Sequence, residues 1–484
     1  MTASAFTRRQ ALKNGIAGVA SLTVAERILA YGGANEALAS LRPRLDKPGY
    51  GALVHRKGKA FALPKGFDYI RFGRAGSIMS DGLPTPTCHD GTGYFAAGGK
   101  RVRILRNQEG FHAGRSQGPV NAYDPVAQGG VTASLFDTAS GKLLGSALVL
   151  NGTDNNCNGG MTPWGTWLSG EENVVGVEQG YGAEHGYVFE VPARATGTIE
   201  PVPIKAMGRF EHEACPVDPK TGIVYMTEDN GDPGDGFYRY LPDHKGKLHL
   251  GGKLQMLAIH GKPGYNTTPD HELGAKYECR WVDIEDPDPN GASRFPQAVY
   301  MQGRHKGAAK FMGLEGGTFS HGSCYFTASD GGPAGQGQVW RYTPDNKNFK
   351  RGELELLYTS PRNRVLNGPD AIAVSPRGGI VLCEDGDGED FDGADNWIRG
   401  LTPNGELFDF AKITEPLPLH GHFAADLFPY NPRRWDRKPS RSTPLGASEA
   451  AGAGFSPDGK WLFVHLQYPG ETFAITGPWH KGWL

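Results

Sequence analysis

Cys157 lies in an asparagine-rich run, Asn155-Asn156-Cys157-Asn158-Gly159-Gly160, and a hairpin-like stretch from Thr162 to Gly170 separates it from two adjacent glutamates, Glu171 and Glu172. A residue that opens one strand of a hairpin and a residue that closes the other share an end, so Cys157 can sit beside Glu171. A thiolate among carboxylates is a mixed soft and hard donor set, which is metal-binding chemistry. The same residues also fit a buried cysteine beside a solvated acidic turn, and this stretch alone leaves the two readings even.

The elements that must position such residues recur. Glu213-Ala214-Cys215-Pro216-Val217 leads through Asp218-Pro219-Lys220-Thr221-Gly222 to Ile223-Val224-Tyr225-Met226-Thr227-Glu228, and Asp370 to Val374 leads through Ser375-Pro376-Arg377-Gly378-Gly379 to Ile380-Val381-Leu382-Cys383-Glu384. β-rich runs joined by Pro, Gly and Asp predict hairpins whose acidic ends reach one rim. Glu315 to Asp330 is a looser copy, Glu449 precedes another around Ser456-Pro457-Asp458-Gly459, and Cys88-His89-Asp90 through Asn107-Gln108-Glu109 forms an early one. The pattern predicts an all-β chain folded as a six-bladed β-propeller with inserted loops, a sandwich or barrel being the alternative. On this hairpin geometry Glu228, Asp370, Glu384 and Glu449 join the candidate metal ligands.

Seventy-one glycines and thirty-five prolines suit a turn-rich β protein, and a net charge of −2 offers no nucleic-acid surface and no membrane-coating basic face. Hairpins spread from about residue 50 to the end, so residues 40–484 are expected to form one domain. Before it, Thr7-Arg8-Arg9-Gln10, an apolar stretch from Gly15 to Ala25 and Ala37-Leu38-Ala39 resemble a twin-arginine export signal over residues 1–39. The apolar stretch is too short to serve as a stable membrane anchor. A periplasmic or extracellular protein follows, and its partner is the twin-arginine machinery, which moves folded, cofactor-loaded chains. Six cysteines without a Cys-x-x-Cys pair exclude a zinc ribbon, and Cys215, Cys324 and Cys383 lie in strand-like runs as core residues.

These residues resemble the PhoX-type alkaline phosphatases, exported bacterial propellers with calcium and iron at the channel mouth. The resemblance rests on Asn156-Cys157-x-Gly159-Gly160, Thr162-Pro163-Trp164-Gly165-Thr166-Trp167 running into Glu171-Glu172, Arg209-Phe210-Glu211-His212-Glu213, Thr227-Glu228-Asp229, Glu315-Gly316, and Phe455 to Gly459 with Pro469-Gly470. It implies Cys157 as an iron-binding thiolate, and Glu171, Glu172, Glu213 and Glu315 as carboxylates of a Ca2+ and Fe3+ cluster acting on a small-molecule phosphate ester, in a monomer. Two departures stand out. Gly313 occupies the place of the family's phosphate-holding arginine, and Gln108 stands where the family usually has histidine. Weak turnover of p-nitrophenyl phosphate, raised by Gly313→Arg, is therefore expected. Arg209 and Glu213 are the candidate catalytic residues, Arg209 as the best substitute cation among Lys310, His212, His112 and Arg304.

Two rival functions are carried by other features. Leu366-Asn367-Gly368-Pro369-Asp370 resembles the strand opening of gluconolactonase-type propellers, which implies a calcium-dependent lactonase or esterase, and a metal-stabilised binding propeller is the third reading. No phosphate loop of the Gly-x-x-x-x-Gly-Lys-Ser/Thr type is present. Asp385 to Asp390 has Asn396 at the twelfth position of a calcium loop and reads as a solvated turn, and residues 261–300 read as an insertion over one face.

Overall fold

The computed structural model describes residues 48–110, 113–361, 365–386, 396–414, 448–468 and 470–484. The chain divides into two units, Met1–Arg42 and Pro43–Leu484. The first lies outside the described residues, as do the export signal expected over 1–39 and most of the acidic turn 385–390.

The predicted hairpins form for the reasons read from their turns. Asp218 accepts hydrogen bonds from Lys220 N and Thr221 Oγ1 at 2.8 and 2.6 Å, and Ser375 Oγ accepts from Arg377 N at 3.1 Å. These side chains close the turns before the second strand begins. Among the described residues, antiparallel strands then build five sheets. The first holds His89–Ala96, Arg101–Gln108, Gly129–Asp137 and Lys142–Thr153; the second holds Asn156–Met161, Thr166–Glu171 and Val188–Pro192. An eight-stranded sheet joins Val224–Thr227, Phe237–Pro242, Gly252–Ile259 and Lys276–Asp283 edge to edge with Arg351–Thr359, Gln338–Pro344, Ser323–Ala328 and Leu314–Ser320. A six-stranded sheet runs from Pro369–Val374 to Leu407–Ile413 and adds Phe61–Pro64 and Leu53–Val54. The last sheet, Ala450–Phe455, Trp461–Leu466 and Glu471–Thr476, takes Asp68–Phe72 as its outer strand.

The result is an all-β, propeller-like arrangement with one α-helix among the described residues, Ala298–His305. The expected insertion at 261–300 is partly sheet, since Lys276–Asp283 pairs with Arg351–Thr359. Apolar clusters lie between successive sheets. Val131 and Leu150 pack on Phe189, Leu168 and Phe210 on Met226, and Tyr94 and Phe136 on Phe463, so the last sheet packs back on the first. Cys215, Cys324 and Cys383 are fully buried in three of these clusters.

One irregularity recurs in the first strand of each hairpin. His89 pairs with Gln108 while Thr92 pairs with Arg106, so three residues oppose two. The same extra residue separates Asn156 from Gly159, Leu314 from Gly317, Pro369 from Ile372 and Ala451 from Gly454, and the bridges His212–Glu228 and Val217–Val224 show it again. A β-bulge of this kind bends the strand and re-aims the side chain it inserts.

Candidate metal centre

The residue just inside each bulge is Asp90, Cys157, Glu213, Glu315, Asp370 or Gly452. Five of these six equivalent positions therefore carry a metal-binding atom. Close packing of the inner strands makes them converge: a Cβ on Gly160 would lie 1.8 Å from Cys215 O. Hydroxyls on the second strands fix the spacing, Thr227 Oγ1 donating to Glu315 O at 2.6 Å and Thr327 Oγ1 to Asp370 O at 2.8 Å.

Three groups result, each with its donor atoms within 4.8 Å of one another: Asp90, Glu109 and Cys157; Cys157, Glu172 and Glu213; Glu213, Glu315 and Asp370. Shared members link them into one chain of donors. Both carboxylate oxygens of Glu213 are buried without a hydrogen-bond partner. Burial, then Glu172, Glu315 and Asp370, pushes the Glu213 carboxyl well above the carboxylate range. Burial is the main cause for the rest of the group and the Glu172 charge adds to it, so Glu109, Glu315 and Asp370 are raised and Asp90 is pushed up to about 7, although hydrogen bonds from Glu109, Gly91 and Gln467 hold Asp90 back. Burial likewise raises the Cys157 thiol, as do the Asp90, Glu213 and Glu172 charges. Among the described residues no lysine or arginine forms an ion pair with Asp90, Glu109, Glu213, Glu315 or Asp370. Such a set is costly unless cations occupy it, so the residues fit a metal cluster.

The polar groups around the cluster orient it. Asn107 Nδ2 donates to Cys157 O at 3.1 Å and Asn158 O at 2.8 Å, and Asn155 Nδ2 donates to Glu172 Oε2 at 2.9 Å. Ser329 Oγ donates to Glu315 Oε1 at 2.9 Å. Gln467 Nε2 reaches Glu109 and, at 3.4 Å, Asp90.

Several expected ligands do not join. Glu171, Glu228 and Glu384 sit opposite the residue before each bulge, one position short of Glu172, Asp229 and Asp385. Since side chains alternate along a strand, that one-residue step turns them away from the cluster. Glu171 accepts from Asp154 N, His185 Nδ1, Gly186 N and Tyr187 N at 2.7–3.0 Å, which fills both oxygens. Glu384 accepts from Arg399 Nε at 2.8 Å, and Glu228 from Tyr238 Oη at 2.7 Å. Glu449 lies three residues before Gly452, the equivalent bulge position, and stays outside the three groups, although burial, then the Asp385, Asp90 and Asp370 charges, raises its carboxyl. Asp90 and Glu109 were missed. The signal was present, because the early hairpin also opens and closes on an acid.

Nor does Arg209 face the cluster. Its Nε donates to His185 O at 2.8 Å, its Nη2 to Val175 O at 3.0 Å, and it pairs with Glu184. His212 is buried against Phe210, and burial lowers its imidazole to about 3, so it supplies no charge. Arg304 holds the carbonyls of Ala308 and Gly264, and His112 lies outside the described residues. Beside the cluster, His185 bridges Glu171 at 2.7 Å and Asp124 at 3.2 Å. Burial opposes its charge, but Glu171 and Asp154 outweigh it and push the imidazole up to about 9.

Residues 144–470 match the family of alkaline phosphatase PhoX. The chain belongs to that family. Among solved structures it is similar to Pseudomonas fluorescens PhoX in complex with vanadate, a transition state analogue, at 18% identity over 90% of this chain and 100% of that one, with a TM-score of 0.62. Fainter likenesses are to a luciferin-regenerating enzyme, at 9% identity over 86% and 97% with a TM-score of 0.31, and to an oligogalacturonate lyase in complex with manganese, at 10% over 86% and 98% with 0.32. No curated protein matches the chain.

Within this PhoX-family chain the two departures acquire structural reasons. Gln108 donates through Nε2 to Arg106 O and Thr132 Oγ1 at 3.2 and 3.0 Å, and, like Glu171, it precedes the residue that joins the cluster. Gly313 has φ +60, and a Cβ there would lie 2.1 Å from Ser329 Oγ. The expected gain from Gly313→Arg therefore meets an obstacle, since any side chain at 313 displaces the serine that holds Glu315.

Proposed function

We propose that this PhoX-family chain is an exported phosphoric ester hydrolase whose cluster holds calcium and iron. The observation that carries the reading is Glu213, a buried carboxylate with two bare oxygens, placed between a sulfur donor and a group made only of carboxylates. Cys157 is the soft end and suits iron; Glu213, Glu315 and Asp370 form the hard end and suit calcium. When bound, the metals supply charge that offsets the phosphoryl group and lower the proton affinity of water. The chain's own part is to keep the donors convergent and dry. Asn107 and Asn155 hold the Cys157 and Glu172 side, and Ser329 and Thr227 hold the Glu315 side.

The working unit in this reading is a single six-bladed propeller, in which the eight-stranded sheet counts as two four-stranded blades paired edge to edge through Lys276–Asp283 and Arg351–Thr359. It acts as a periplasmic or extracellular monomer, its export by the twin-arginine route following from the sequence pattern of residues 1–39.

The test is metal analysis of anaerobically purified protein with its visible spectrum, together with phosphatase assays and vanadate. Iron and calcium, an absorbing sulfur-to-iron band, and phosphate-ester turnover that vanadate inhibits are expected. Folded protein with neither metal nor turnover rejects the reading. Full activity and metal content in Cys157→Ser would favour a lactonase-type calcium site instead.

A further inference from the structure

Four segments meet behind the sulfur side of the cluster, and one imidazole ties them. His185 is fully buried, and both of its ring nitrogens lie on carboxylates, Nδ1 on Glu171 at 2.7 Å and Nε2 on Asp124 at 3.2 Å. Ionised carboxylates only accept, so both nitrogens donate and the ring is an imidazolium. Each carboxylate in turn gathers backbone. Asp124 accepts from Val126 N, Gly182 N and Ala183 N at 2.6–3.0 Å, and Glu171 from Asp154 N, Gly186 N and Tyr187 N at 2.8–3.0 Å. Asp154 is pinned further by Asn173 Nδ2 at 2.7 Å and Tyr181 Oη at 3.0 Å.

The frame ends on two of the cluster's donors. Asp154 precedes Asn155, whose left-handed backbone (φ +47) turns the chain into the Cys157 bulge and whose side chain holds Glu172. Glu171 precedes Glu172, and Glu172 N donates back to Asn155 O at 2.9 Å. We propose that His185, acting through Glu171 and Asp154, is a positioning residue that sets the distance between Cys157 and Glu172 and thereby fixes the sulfur-containing metal position. The inference rests on the reading of that pair as metal ligands. Its reach is local: Glu315 and Asp370 are held by Ser329, Thr227 and Thr327, which share no hydrogen bond with this frame.

The experiment compares His185→Gln with the full-length wild type in two states. In metal-loaded protein, iron affinity should fall roughly 10–100-fold, as it does when a ligand's supporting partner is removed, and the visible band should shift, while calcium affinity stays within about twofold. In metal-stripped protein, alkylation of Cys157 by iodoacetamide, followed by mass spectrometry, should accelerate about tenfold or more, because the loop that buries it loosens. Unchanged iron affinity together with unchanged alkylation overturns the proposal; so does an equal loss of calcium, which would mark a general structural role. Wild type that binds no iron rejects the metal reading, and the alkylation result then still decides the positioning role. If His185→Gln does not fold, Asp124→Asn, which keeps the bond to Glu171, is judged by the same readouts with a smaller change expected.

Discussion

At the scale of residues, adjacent glutamates have opposite fates. Glu172 belongs to the cluster, while Glu171 spends both oxygens on backbone amides and His185. The pair was plain in the sequence, but which member faces inward depends on strand parity, and parity depends on a bulge residue that looks like any other. Glu172→Gln should therefore lower metal content and phosphatase activity at least tenfold, while its thermal midpoint in the metal-stripped state differs little from that of the wild type. Glu171→Gln should lower the midpoint clearly, since it weakens a buried charged hydrogen bond worth roughly 1.5–3 kcal/mol. Calorimetry beside metal analysis checks both, and the reverse pattern would contradict the parity argument. Gly313 offers a second residue-level expectation. Gly313→Arg should reduce p-nitrophenyl phosphate turnover, because the new side chain pushes Ser329 from Glu315, and a rise would show that the added cation outweighs that loss.

At the scale of elements, the hairpins were legible because Pro, Gly, Asp and Ser mark their turns, whereas the bulges were not, because one extra residue leaves no trace in composition. Asp90 shows the cost: it occupies the same position as Cys157 and Glu213, yet the hairpin around it was counted as a blade and not as a source of ligands. Arg209 shows the opposite error, since nearness in sequence to acids suggested an anion site while its donors hold the 175–185 loop. The outer strand Asp68–Phe72 makes a testable contribution of its own. Tyr69 packs edge-on against Phe61 and Phe473 at 5.6 and 5.4 Å, and its hydroxyl accepts from Ala60 N at 2.6 Å. Tyr69→Ala should cost about 3–5 kcal/mol, measured by urea unfolding, and a loss below about 1 kcal/mol would mean that this strand adds little.

For the whole molecule, the converging carboxylates set how stability varies with pH. Asp90 is pushed up to about 7, and Glu109, Glu213, Glu315 and Asp370 are raised as well, mainly by burial. A carboxyl raised on folding stabilises below its unfolded value near 4 and loses that contribution as pH climbs through the folded value. Metal-stripped protein should thus lose thermal stability between about pH 4 and pH 8, and added calcium should restore more at pH 8 than at pH 5. A calcium effect independent of pH would argue that these groups do not titrate together. The all-β class, the turn-delimited hairpins and the gathering of acids at one end could be read from the chain alone. The inward parity, and the use of Glu384 and Glu228 as internal braces, emerged only once the strands were in register.

The pairing of Asp68–Phe72 with Glu471–Thr476 fastens an early strand to a late one, in the manner of a clasp. During synthesis the segment around Asp90 is made long before the sheet that flanks it, so the first donors must wait for nearly the entire chain to leave the ribosome. A chain released before that last sheet is made would leave Asp90 and its neighbouring acids without the flank that packs against them.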